Sequence, residues 1–125
     1  MAQKVVVVVG ASRGIGLGVM KHLSEHAGCK AVIGLVRKPE DVSNLSRLFS
    51  ANKKVHVFQG DVVDLESMQK VVARLTESSI VPDLVVCNAG VLTDPKPLEE
   101  ISDEDMRYSF EVNVLGPLNV MKAFL

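Results

Sequence analysis

The residues of this chain that could do chemistry begin at a bend rich in glycine. Gly10, Gly14 and Gly16 follow the spacing Gly-x-x-x-Gly-x-Gly, interleaved with Ala11, Ser12, Arg13 and Ile15. Valines at Val5 to Val9 precede the bend, and Val19, Met20 and Leu23 follow it at helical spacing. A continuous β-branched run reads as a strand buried on both faces. The glycines therefore sit where a strand passes into a helix. Gly10 permits a turn that a Cβ would obstruct. Gly14 lets backbone approach a ligand, and Gly16 lets the helix close on the strand. The N–H groups and positive dipole end of such a helix suit a pyrophosphate. The spacing differs from Gly-x-Gly-x-x-Gly, the common dinucleotide fingerprint. No Gly-Lys-Ser/Thr follows, so it is not a P-loop.

Further candidates stand where later apolar runs stop. Arg37 follows one run, Asp61-Val62 a second and Asn88-Ala89-Gly90 a third, while Asn113 lies in a helical stretch. From residue type alone Asp61 and Asn88 also fit ordinary turn residues satisfying their own backbone. His22 and His26 are spaced i, i+4 with Cys29 beyond, but no further ligand is arranged with them. They read as solvated histidines, and no metal site is expected.

Those candidates need elements to hold them. Val5–Val9, Ala31–Val36, Lys54–Gln59 and Leu84–Cys87 read as strands. Between them run helices, the first with Gly28 as its expected C-cap and the second with Pro39 in its first turn. The second should turn Val42, Leu45, Leu48 and Phe49 to one face. Asp64 caps a third with Met68, Val71, Val72 and Leu75 inward. Ser102, with Asp105 three residues on, starts a last helix carrying Met106, Phe110, Val114, Leu118 and Met121. Gly116-Pro117 should kink it. Strict β-α alternation implies parallel strands with right-handed crossovers. The predicted fold is α/β, a doubly wound three-layer sandwich of strand order 3-2-1-4. Its ligand crevice falls at the carboxyl ends of strands 1 and 4, where the winding reverses.

The 125 residues fit a single domain, 1–125, with 47% apolar and 23% charged side chains and a net charge of −1. Such a balance makes no case for nucleic acid or an anionic membrane. No apolar run reaches the roughly 20 residues of a membrane span. The stretch before Gly10 is too short for a secretory signal. Two scattered cysteines are no disulfide framework, and a reducing, cytoplasmic setting is expected.

Taken together, these stretches resemble the N-terminal half of the short-chain dehydrogenases/reductases, Rossmann-fold NAD(P)-dependent oxidoreductases. Gly10-x-x-x-Gly14-Ile15-Gly16 is similar to the family's Thr-Gly-x-x-x-Gly-Ile-Gly. Asp61-Val62, Asn88-Ala89-Gly90 and Asn113-Val114 with Gly116 are similar to three further family motifs, in the right order. Val9 stands where the family usually has Thr, and Cys87 replaces the first Asn of the third motif. The resemblance implies that the backbone from Ser12 to Gly16 holds the pyrophosphate. It implies that Asp61 accepts from the adenine amino group, that Val62 packs near the ring and that Asn88 to Gly90 line the nicotinamide ribose. It makes Asn113 the one catalytic-set residue present, helping to hold a proton-relay water; otherwise Asn113 is a helix Asn at a kink.

An acidic residue after strand 2 would bind a ribose 2′-hydroxyl and repel a 2′-phosphate. Here Val36 and Arg37 follow instead, and Arg13 could reach the same point. A guanidinium fork suits a phosphate, so NADP(H) is the expected cofactor, with NAD(H) the other possibility. The bland alternative leaves both arginines as solvated loop charges.

Chemistry in the family also needs Tyr-x-x-x-Lys and an upstream Ser. The single tyrosine, Tyr108, has Val112 four residues on and precedes Asn113. It therefore reads as a helix residue rather than a proton donor. The chain alone is expected not to catalyse hydride transfer. It is expected to be part of a longer enzyme acting on a small-molecule carbonyl or alcohol. A non-catalytic NADP-binding or dimerising module and an unrelated Rossmann binding module are the alternatives. The helix over 102–125 is the expected homo-oligomer face.

Overall fold

The computed structural model describes residues 3–125. In chain order these form β1 (Lys4–Val9), α1 (Gly14–Glu25), β2 (Cys29–Val36), α2 (Pro39–Leu48), β3 (Val55–Gln59), α3 (Leu65–Glu77) and β4 (Leu84–Cys87). A short 3-10 turn (Leu98–Glu100) leads to α4 (Asp103–Phe110), a π-helical turn (Glu111–Leu115) and α5 (Gly116–Phe124). All strand pairs are parallel and the order is β3-β2-β1-β4, as the alternation predicts. Val7 pairs with Ile33 and with Val85, so β1 is hydrogen-bonded along both edges.

The valine run explains why β1 is central. Val6 and Val8 enter one core with Met20, Val32 and Leu45 from α1, β2 and α2. Val7 and Val9 enter the opposite core with Ile33, Leu35, Met68, Val71 and Val120. A strand whose alternate residues are all apolar is stable only with both faces covered. The result is a three-layer sandwich, α1 and α2 on one face and α3 and α5 on the other.

Local signals decide most helix ends. Asp64 Oδ1 accepts from Ser67 N at 3.3 Å, and Ser102 Oγ accepts from Asp105 N at 3.1 Å. Pro39 opens α2. Gly28, by contrast, does not cap α1. The helix stops at His26 in extended backbone (φ −82°, ψ 127°), and the Gly28 amide donates to His26 Nδ1 at 3.0 Å. The helix end is closed instead by the His26 amide, which donates to Leu23 O at 3.2 Å. Leu48, expected inward, is exposed, and Leu45 is the buried residue of α2.

The last helix starts where expected, and its form is the main difference. The interruption expected at Gly116-Pro117 is present, but as a π turn just ahead of it that joins α4 to α5. Pro117 lacks an N–H, and its ring presses on the carbonyl four residues back, so the widened turn ahead of it relieves both problems. The extra residue shifts the helix phase. Val112, Gly116 and Val120 face the core, while Met106, Phe110, Val114 and Met121 stay more than half exposed.

Candidate functional site

A crevice of about 580 Å³ opens at the carboxyl ends of β1 and β4. That is within the usual range for a small-molecule site. The strand ends are brought level by backbone bonds. Gly10 N and Ala11 N donate to Leu35 O at 3.0 and 3.3 Å, Gly60 N to Val36 O at 2.9 Å, and Asn88 N to Val9 O at 2.9 Å.

The glycine bend forms its floor. Gly10 has φ +84° and Gly14 φ +57°, left-handed values that favour glycine. A Cβ at Gly16 would run into the Gly10 carbonyl and lie 2.8 Å from Asn88 Nδ2. Gly16 is buried beneath the crevice, whereas Gly14 faces open space. Arg13 leads into α1 without a side-chain cap, and the amides of Ser12 to Gly16 find no acceptor among the described residues. A row of unpaired donors at a helix N-terminus matches the acceptor oxygens of a pyrophosphate. Ile15, 77% exposed, adds an apolar surface beside it.

The structure gathers Gly10, Ser12, Arg13, Gly14, Ile15, Arg37, Asp61, Val62 and Asn88 to Gly90 around this cavity. Their side chains have specific duties. Asp61 N donates to Ser67 Oγ at 2.9 Å, and Asp61 Oδ1 accepts from Val63 N at 3.1 Å. One carboxylate oxygen is thus used in the turn, and the other bonds none of the described residues. Val62 is buried, its carbonyl accepting from Asn119 Nδ2 at 2.8 Å. Asn88 Nδ2 donates to Gly10 O at 3.2 Å, tying β4 to the bend. Burial pushes the neighbouring Cys87 thiol above its ordinary pKa.

Asn113 does not line the cavity. Its side chain clamps Val91, accepting from Val91 N and donating to Val91 O, both at 2.8 Å. It thereby holds the segment after Gly90 against the π turn.

Among the crevice residues that sequence reasoning did not single out are Asp41, Tyr108 and Val112. Tyr108 and Val112 are spaced i, i+4, which puts them on one helix face. That signal was in the chain, masked by the more prominent Met106/Phe110/Val114 series. Arg37 Nη1 donates to Tyr108 Oη at 3.3 Å. This bond, chiefly, raises the guanidinium pKa above its ordinary value, with the Asp61 and Asp41 charges adding. Among the described residues no group of three or more His, Cys, Asp or Glu side chains could hold a metal ion. Nor is any helix there long and apolar enough to cross a membrane.

Known proteins are similar to this chain in sequence and fold. An uncharacterized oxidoreductase of Schizosaccharomyces pombe is 32% identical over 120 residues, covering 96% of this chain and 47% of the relative. An NADPH-dependent pterin aldehyde reductase of Arabidopsis thaliana is 28% identical over 125 residues, covering 100% of this chain and 51% of the relative. An NADPH-bound carbonyl reductase from chicken fatty liver superposes with a TM-score of 0.87 at 26% identity, over 99% of this chain and 48% of that one. The chain spans about half the length of the curated relatives it matches. The family model for short chain dehydrogenase matches residues 4–125. With its sheet order, its glycine bend and that match over nearly its whole length, the chain belongs to the short chain dehydrogenase family.

Proposed function

We propose that the crevice binds NADP(H) and that the chain is the cofactor-holding half of an oxidoreductase that reduces a carbonyl or oxidises an alcohol. The observation that carries this is the row of unpaired amides from Ser12 to Gly16, flanked by two arginines. The amides take the pyrophosphate, and Arg13 and Arg37 take the 2′-phosphate. Asp61 offers its spare oxygen to the adenine amino group, beside Val62. Asn88 to Gly90 line the nicotinamide-ribose end, and Asn113 steadies Val91 there. The bound nicotinamide supplies or accepts the hydride.

A proton donor must stand beside that ring. Tyr108 instead stands with Arg37, after β2, at the adenosine end of the proposed pose. Hydride transfer is therefore not expected from the chain alone. The exposed Met106, Phe110, Val114 and Met121 support self-association through α4 and α5. Sedimentation should then show dimers that Phe110→Glu disperses.

Titration of the chain with NADPH and NADH, followed by amide resonances of Ser12 to Gly16, tests the cofactor assignment. NADPH should move those signals and bind more tightly, and Arg37→Asp should swing preference toward NADH. Unmoved signals, or equal affinities in the parent chain, would reject it.

A further inference from the structure

Arg37 is exposed on a loop, yet it is held at both ends. Gln59 Nε2 donates to its carbonyl at 3.2 Å, and Tyr108 Oη accepts from its guanidinium at 3.3 Å across 71 residues of sequence. Among the described residues Tyr108 is the one side chain that bonds this guanidinium; Asp41 and Asp61, though near, form no ion pair with it. Tyr108 cannot drift far. One turn on, Val112 is buried in the core, and the start of α4 is pinned by Ser102 and by Lys96, whose Nζ donates to Asp105 Oδ2 at 2.9 Å.

A guanidinium has donors only, so in this bond the phenol oxygen must accept. The phenol's own hydrogen is left free. Tyr108 lines the same crevice as Arg13 and Arg37. A phosphate received by Arg37 would meet a neutral O–H donor alongside the charged ones. We infer that Tyr108 is a specificity-determining residue, one that braces Arg37 and donates its hydroxyl hydrogen to the 2′-phosphate of the cofactor. This rests on the NADP(H) assignment. Packing alone would need only the ring, and the hydroxyl is what a phosphate can use. Bracing also matters because a long, exposed arginine loses freedom when it closes on a ligand, and one already held has less to lose.

The test is calorimetric titration of the chain with NADPH and NADH, and with 2′,5′-ADP against 5′-AMP as minimal probes. Tyr108→Phe keeps the ring and removes the hydroxyl. It should weaken NADPH and 2′,5′-ADP about tenfold, the scale of a hydrogen bond to a charged group. NADH and 5′-AMP should be nearly unchanged. In the Arg37→Ala background the effect of Tyr108→Phe should shrink, because part of it acts through Arg37. If Arg37→Ala collapses the preference but Tyr108→Phe leaves it intact, the inference fails and the NADP(H) assignment survives. If Tyr108→Phe weakens all four ligands equally, Tyr108 is only a wall of the cavity and the inference is overturned. If Arg37→Ala leaves the preference untouched, both fall.

Discussion

Asn88 donates its side-chain amide to the carbonyl of Gly10 at 3.2 Å, joining the ends of β4 and β1 beneath the glycine bend. The same carbonyl is what a Cβ on Gly16 would strike. Gly16 from the same bend and Asn88, 78 positions beyond Gly10, thus close on one oxygen atom. The bend is held open toward the crevice by being filled from below.

Gly16 and Gly14 should accordingly respond differently to alanine. Gly16→Ala must displace backbone, and overpacking of that kind costs about 1–3 kcal/mol or more. Gly14→Ala meets no neighbour but must keep φ +57°, a left-handed conformation costing roughly 1–2 kcal/mol. Urea midpoints should rank Gly16→Ala as the less stable variant, and it should lose the Asn88–Gly10 bond. An inverted ranking would mean the bend relaxes more freely than its packing indicates.

The Asn113–Val91 clamp makes a second prediction. Asn113→Asp keeps the acceptor but sets a carboxylate oxygen against the Val91 carbonyl, where the amide now donates at 2.8 Å. Lost partners of this type cost about 1–3 kcal/mol. Amide exchange at Val91 should quicken far more than exchange in β1. Unchanged protection at Val91 would show that the clamp holds nothing.

Asp41 sits on the crevice rim, and its charge favours the charged form of Arg37. A carboxylate there opposes the approach of a phosphate. Asp41→Asn should therefore tighten NADPH binding severalfold at low salt and by less at about 1 M, where screening shortens to roughly 3 Å. NADH affinity should change little. Weaker NADPH binding in this variant would instead show that Asp41 orients Arg37.

Acid should loosen α4 before the sheet. The Lys96 ammonium, followed by the Ser102 hydroxyl, holds the Asp105 carboxyl below its ordinary value. A carboxylate lowered in the folded state contributes stability that is complete above the unfolded pKa. That contribution is lost as pH falls through the folded one. Exchange of the first α4 amides should therefore quicken below the ordinary carboxylate range. Lys96→Ala should flatten that dependence, and a parent chain without the acid step would contradict the pairing.

Much of the architecture was legible along the chain because its causes are local. Val5 to Val9 demanded a strand covered on both faces, Asp64 and Ser102 named their own helix starts, and Gly10 to Gly16 marked the bend. Gly28 misled because α1 already ends at His26, whose own amide donates to Leu23 O. Tyr108 was passed over because the Met106/Phe110/Val114 series masked its i, i+4 pairing with Val112, and no local pattern announces the extra residue of the π turn. The crevice pairs, Asn88 with Gly10 and Tyr108 with Arg37, lie 78 and 71 positions apart. Residue order alone settled the four strands, their parallel pairing and the place of the glycine bend. Which side chains meet across the strand ends was decided only by the tertiary structure. Such contacts depend on strand register and helix phase, and both are set by the packing of the whole core.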